Sequence, residues 1–223
     1  GGTAFTDIMA TLIRHVPGAA ETAAELWALD ADRDLNKRLT GGPAWADVTF
    51  DDAIASDAYA VVGATLNGKL FLAYDTTVDR LHAYDPLLGT PRVRRVGFAT
   101  PAAPTAANGG GAGAYAATLR YYRVRWLQMS GTTVIRRSEP SASVSFTPDG
   151  ASANATVTQP AVAGEGETHW ELEASTDNSV WVAHQSQLRS STQIAIATTT
   201  YADTTTGGTY TTYPATDTTG LHA

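Results

Sequence analysis

Six short runs rich in β-branched and aromatic residues follow residue 114, spaced 8–15 residues apart, and that rhythm constrains the fold more than any other feature. They are Leu119–Leu127, Ser141–Phe146, Ala155–Gln159, His169–Ser175, Val180–Gln185 and Gln193–Tyr201. Short strands at regular intervals, punctuated by turn residues, predict a β-sandwich of about 100 residues. Alternation within the runs assigns faces, because successive side chains on a strand point to opposite sides. Tyr122, Val124 and Trp126 share one face of the first run, with Arg123 and Arg125 on the other. In the fourth run Trp170, Leu172 and Ala174 face one way, and His169, Glu171 and Glu173 the other. Val144 with Phe146, and Ile194 with Ile196, complete the expected core.

Upstream the pattern changes. Asn67-Gly68 lies between Tyr59–Leu66 and Lys69–Asp75, a strong hairpin signal because both turn residues tolerate positive φ. With Arg80–Asp85 and Val93–Phe98 this predicts a small antiparallel β-meander over residues 43–98, which opens on a short strand at Trp45–Phe50. The meander resembles one propeller blade, and one blade cannot bury both faces by itself. Residues 1–42 read differently. Ile8, Leu12 and Ile13, then Ala23, Leu26 and Trp27, recur at helical spacing around the Pro17-Gly18 break, so a short N-terminal helical arm is expected. Residues 99–114, rich in Ala, Pro and Gly, read as a linker before the 115–203 sandwich. Residues 204–223, rich in Thr and Tyr, read as a C-terminal arm that orders against a neighbour.

Composition excludes several function classes. A formal charge of −7 over 223 residues lacks the basic balance of a general nucleic-acid binder or of a protein docked on an anionic membrane. No stretch approaches the ~18 apolar residues of a membrane span, and no signal peptide is expected. The absence of cysteine rules out disulfides and thiolate chemistry.

Several passages resemble fibronectin type III-like modules of tailed-bacteriophage structural proteins. They are Gly97-Phe98-Ala99-Thr100-Pro101-Ala102-Ala103-Pro104-Thr105, Tyr121-Tyr122-Arg123-Val124, Arg137-Ser138-Glu139-Pro140-Ser141 and the run from Gly164 to Asp177. Asn67–Tyr74 and Asp79-Arg80-Leu81 in the meander are similar to the same group. The resemblance spans roughly residues 59–203. It implies a mainly β chain with an immunoglobulin/fibronectin III-like sandwich, and a structural role at the head–tail junction (the neck) or tail of a virion, with no catalytic residues to carry over. It also implies portal, adaptor or tail subunits as partners, a homo-oligomeric ring, and assembly in the host cytoplasm.

The chemistry-bearing constellations are sparse. Asp30, Asp32 and Asp34 alternate as in a calcium loop, but Leu35 and Gly41 stand where an EF-hand needs glycine and an acid. A solvated acidic cluster at a helix end is the expectation. Glu165, Glu167, His169, Glu171 and Glu173 form the densest titratable group, read as a solvated or interfacial strand face. Its natural complement is the basic set Arg120, Arg123, Arg125, Arg136 and Arg137, paired across strands or between subunits. The expected interface residues are therefore Arg123, Arg125, Arg136, Arg137, Glu167, Glu171 and Glu173. Gly109–Gly113 lacks the Lys-Ser/Thr of a phosphate loop, and Asn154-Ala155-Thr156 is a bare glycosylation triplet. The histidines, His15, His82, His169, His184 and His222, show no zinc-ligand spacing. No cofactor, metal or catalytic group is expected. The alternatives are a receptor- or carbohydrate-binding module using Trp181, Tyr121 and Tyr84 as an aromatic platform and, far behind, a hydrolase acting through Glu167 and Glu171.

Overall fold

A computed structural model describes residues 8–15, 24–39, 44–48, 50, 54–55, 61–75, 79–86, 93–183 and 193–205. The chain divides into two compact units, Gly1–Val96 and Gly97–Ala223. The described residues are mainly β, in antiparallel sheets, with no helix among them.

The first unit holds two four-stranded meanders. Strands β1 (Ile8–Arg14), β2 (Glu25–Asp30), β3 (Leu35–Leu39) and β4 (Ala46–Val48) form one sheet in chain order. Strands β5 (Val62–Leu66), β6 (Lys69–Ala73), β7 (His82–Tyr84) and β8 (Val93–Arg95) form the other. The second is the meander expected from Asn67-Gly68, whose φ values of +50° and +75° make the tight turn between β5 and β6. The expected N-terminal helical arm is instead the first meander. Its apolar runs, such as Leu26-Trp27-Ala28-Leu29, are short enough to fit either period, and tertiary partners decide. Trp27 and Leu29 alternate inward and meet Leu70, Leu72 and Tyr74 in one core with Leu35, Ile54, Tyr84 and Val93. The blade's second partner is thus its own N-terminal neighbour.

The Asp30–Asp34 cluster is correspondingly a hairpin turn, not a helix end. The Asp30 carboxylate accepts the N–H groups of Asp32 (3.1 Å) and Asp34 (2.9 Å), while Arg33 sits at φ +68°.

The second unit is two sheets over one core. In chain order, single strands of a three-stranded sheet alternate with groups of three from a six-stranded one. The small sheet is β9 (Thr105–Asn108), β13 (Ala155–Thr158) and β17 (Thr200–Asp203), with β13 central. The large sheet is built on β10 (Arg120–Ser130) paired with β14 (His169–Ser175). Strands β11 (Thr133–Arg137) and β12 (Val144–Phe146) flank β10, and β15 (Val182–Ala183) and β16 (Gln193–Ala195) flank β14. The core holds Tyr122, Val124, Trp126, Trp170, Leu172 and Ala174 with Ala155 and Val157 from the facing sheet, and Phe146, Ile194 and Ile196 pack at its margin. Residues 99–114 are not simply a linker. Pro101 and Pro104 are buried and β9 adds a strand to β13. The run expected at Gln193–Tyr201 breaks into β16 and β17, one in each sheet. Of the expected C-terminal arm, 206–223 lies outside the described residues.

The Arg137–Ser141 passage has a structural explanation. Pro140 has no N–H and interrupts the edge between β11 and β12, and two serines repair the ladder. Ser138 donates its N–H to the Trp126 carbonyl (2.9 Å), and its Oγ accepts the Trp126 N–H (2.9 Å). Ser141 does the same with Val124, at 2.9 and 3.0 Å. Each serine occupies a buried site where an unanswered N–H costs about 1–3 kcal/mol. Ser138→Ala and Ser141→Ala are each expected to lower the unfolding free energy by about that amount, read from denaturant unfolding, whereas Ser145→Ala at an exposed position leaves the midpoint in place.

Candidate functional site

The densest charged constellation lies on the face of the large sheet opposite the Trp126–Trp170 core. Register brings Arg123 opposite Glu173 and Arg125 opposite Glu171 on β10 and β14. Glu173 answers both Arg123 and Arg125, the latter at 3.0 Å. Glu171 meets Arg137 of β11 at 3.1 Å, and Arg125 also donates to the Ser138 carbonyl at 3.2 Å. Arg136 is not part of this face: it pairs with Gln128, which shares the parity of Trp126. It donates to Gln128 Oε1 (2.9 Å) and to the Glu165 carbonyl, and its guanidinium lies 4.2 Å over the Phe98 ring at the core side.

The pairing is therefore made across strands within the chain. The expectation of a solvated face fails for Glu171 and Glu173, which are 0% and 5% exposed. Arg125 and Arg137, themselves buried, pair with these carboxylates, and β14 is buried on both faces. Glu167 does not join them. It precedes β14, and its carboxylate accepts the N–H groups of Ala163 (2.9 Å) and Glu165 (2.8 Å), ordering a turn. Glu165 in turn accepts the Ala99 N–H at 2.9 Å. Paired acid–base chemistry through Glu167 and Glu171 has no geometric basis, since one carboxylate caps a turn and the other is buried against an arginine.

Arg120 belongs elsewhere. It shares strand parity with Tyr122 and Val124, and so enters the apolar core between the sheets. There its guanidinium sits 3.7 Å from Asp203 and 4.2 Å over the Tyr115 ring, and it donates to the Thr205 carbonyl at 3.1 Å. Tyr122 donates its hydroxyl to Asp203 at 2.7 Å. This buried Arg120–Asp203–Tyr122 cluster ties β17 to β10. The parity of residue 120 is the available sequence signal for it; nothing local marks Asp203 as the partner. Tyr201, half-buried on the same strand, has its hydroxyl pushed up to about 12 by burial and then by Asp203.

Of the three rings of the expected aromatic platform, Tyr121 and Trp181 are half-buried in the second unit and Tyr84 is buried in the first. The Tyr84 hydroxyl accepts from Lys37 Nζ at 2.9 Å, and Arg14 lies over its ring at 5.1 Å. Trp181 lies under the Arg123 guanidinium at 4.1 Å. No group of three or more His, Asp or Glu that could hold a metal ion occurs among the described residues. No helix among them is long and apolar enough to cross a membrane.

Two outcomes follow from this geometry. Glu173→Ala removes the carboxylate of two guanidinium groups, and is expected to cost about 3–5 kcal/mol, while Arg125→Met with Glu173→Leu recovers the share due to the fully buried Arg125; paired denaturation curves check this. For Tyr201 the folded state favours the neutral phenol. The unfolded chain loses that proton near the ordinary phenol value of 10.0 and the folded chain near 12, so the stability from this group falls as pH rises through that window. Tyr201→Phe is expected to remove this part of the alkaline slope of the unfolding midpoint.

No protein-family model matches the chain, and no curated protein matches it.

Proposed function

We propose that this chain is a non-enzymatic structural subunit of a tailed-bacteriophage particle, at the head–tail junction or along the tail. Its sandwich is of the immunoglobulin/fibronectin III kind, and it works in several symmetric copies beside portal, adaptor or tail subunits. The observation that carries the reading is where the phage-like passages fall. Tyr121–Val124 lies in β10, the Gly164–Asp177 run contains all of β14, and Arg137–Ser141 is the serine-repaired edge. The resemblance thus concerns the residues that build the module's centre: one apolar face, one ion-paired face and a mended edge.

Such a module is suited to a mechanical part. Arg123, Arg125 and Arg137 pair with Glu173 and Glu171 within the chain, and there is no thiol whose state changes between the host cytoplasm and the medium. A receptor- or carbohydrate-binding module on a fibre is the second reading. The burial of Tyr84 removes one of the three rings it would use.

Quantitative mass spectrometry of purified particles tests the proposal. The chain is expected at a fixed ratio to the portal protein, matching a ring symmetry. Its absence from particles would overturn the structural role and move the binding module forward.

A further inference from the structure

The two meanders of the first unit share more than their strand count. Adding 45 to both members of the pairs Glu25↔Leu39, Leu26↔Arg38 and Trp27↔Lys37 gives Leu70↔Tyr84, Phe71↔Ala83 and Leu72↔His82, which are the pairs observed between β6 and β7. The same shift carries Ala28 onto Ala73, Asp30 onto Asp75, Asp34 onto Asp79 and Val48 onto Val93, identical residues in each case. Each of these aspartate pairs also closes its loop with a backbone hydrogen bond, though with opposite donors: Asp30 N–H to the Asp34 carbonyl (3.2 Å) in the first copy, and Asp79 N–H to the Asp75 carbonyl (3.5 Å) in the second. A period of this length is what a four-stranded blade-like unit requires.

From this register we infer that residues 8–95 are two copies of one four-stranded unit, related by an approximate twofold axis. The axis follows from which faces meet. Trp27, Leu29 and Val48 of the first copy and their equivalents Leu72, Tyr74 and Val93 of the second all contribute to one core. Successive propeller blades pack unlike faces, an arrangement that accepts further copies until a ring closes. Here like packs on like, and an isologous contact is complete at two.

The edges agree with this symmetry. The two first strands meet: Thr65 Oγ1 of β5 donates to the Ile13 carbonyl of β1 at 3.3 Å, and Gly63 lies where a Cβ would come within 2.9 Å of Leu12. At the opposite margin Phe50, just past β4, bridges to Val93 of β8. The copies differ in their first hairpin, which is residues 15–24 in one and Asn67-Gly68 in the other. The consequence for assembly is specific. The second meander is covered by the first, so neighbours in a particle are not required to cover it.

Exchange of equivalent segments in the full chain tests this. Residues 26–30 (Leu-Trp-Ala-Leu-Asp) and 71–75 (Phe-Leu-Ala-Tyr-Asp) differ at three positions, so grafting either onto the other site changes core volume. The reciprocal exchange keeps total volume and returns each side chain to an equivalent site. Each single graft is expected to lower the unfolding midpoint, and the reciprocal exchange to recover at least half of the summed loss. The milder cycle of Trp27→Leu with Leu72→Trp reads the same coupling if a graft fails to fold. Additive or worse-than-additive losses in the cycle would overturn the twofold relation. So would a graft shifted by one residue, taken from 70–74, that is tolerated as well as the in-register one, because a one-residue slip exchanges the two faces.

Discussion

The antiparallel pairing of β10 with β14 is the constraint on which the second unit depends. Seven consecutive partners, from Tyr121↔Ser175 to Leu127↔His169, fix every side chain of both strands to one face or the other. On one side that places Trp126 opposite Trp170 and Val124 opposite Leu172, the centre of the core. On the other it places arginines opposite glutamates. Buried ion pairs contribute little net stability, since desolvation offsets their attraction, but a slipped register would leave charges without partners. The polar face thus penalises wrong pairings while the apolar face drives association. The cost of leaving Glu173 without its arginines measures this division of labour.

Much of the second unit is legible in the sequence because period-2 alternation is unambiguous over a strand as long as β10. The bounds of β14 are readable to the residue, and so are the inward positions Tyr122, Val124, Trp126, Trp170 and Leu172. Strands β9 and β11 carry no such mark. Thr105–Asn108 lies in an Ala-, Pro- and Gly-rich stretch with nothing apolar to betray a strand, and Thr133–Arg137 carries two charges that only their burial against Glu171, Gln128 and the Glu165 carbonyl explains. Within the charged set Arg123, Arg125 and Arg137 pair across strands with Glu173 and Glu171, whereas Glu167, Arg136 and Arg120 find other partners. The burial of the set is not legible, because alternation assigns residues to a face but does not show what covers that face.

The first unit shows the converse. Asn67-Gly68 announces one hairpin, but the first copy replaces that turn with residues 15–24 and so hides the repeat from inspection of its opening strands. Over the seven residues of β1, spacing alone has no force: Ile8, Leu12 and Ile13 fit a turn of helix and a strand equally well. The partner decides, and β1 is a strand because Ala10 and Leu12 have a core to pack on.

The Arg120–Asp203–Tyr122 cluster has a consequence for how the chain is made. Tyr122 and Asp203 stand 81 residues apart, and synthesis delivers the strand carrying Asp203 last of the described strands. Until it arrives, the sandwich core holds a guanidinium without its carboxylate, and closing the sheets over it is unfavourable. A nascent chain is thereby held open until β17 emerges from the ribosome, and the sandwich locks only when that strand brings the missing charge.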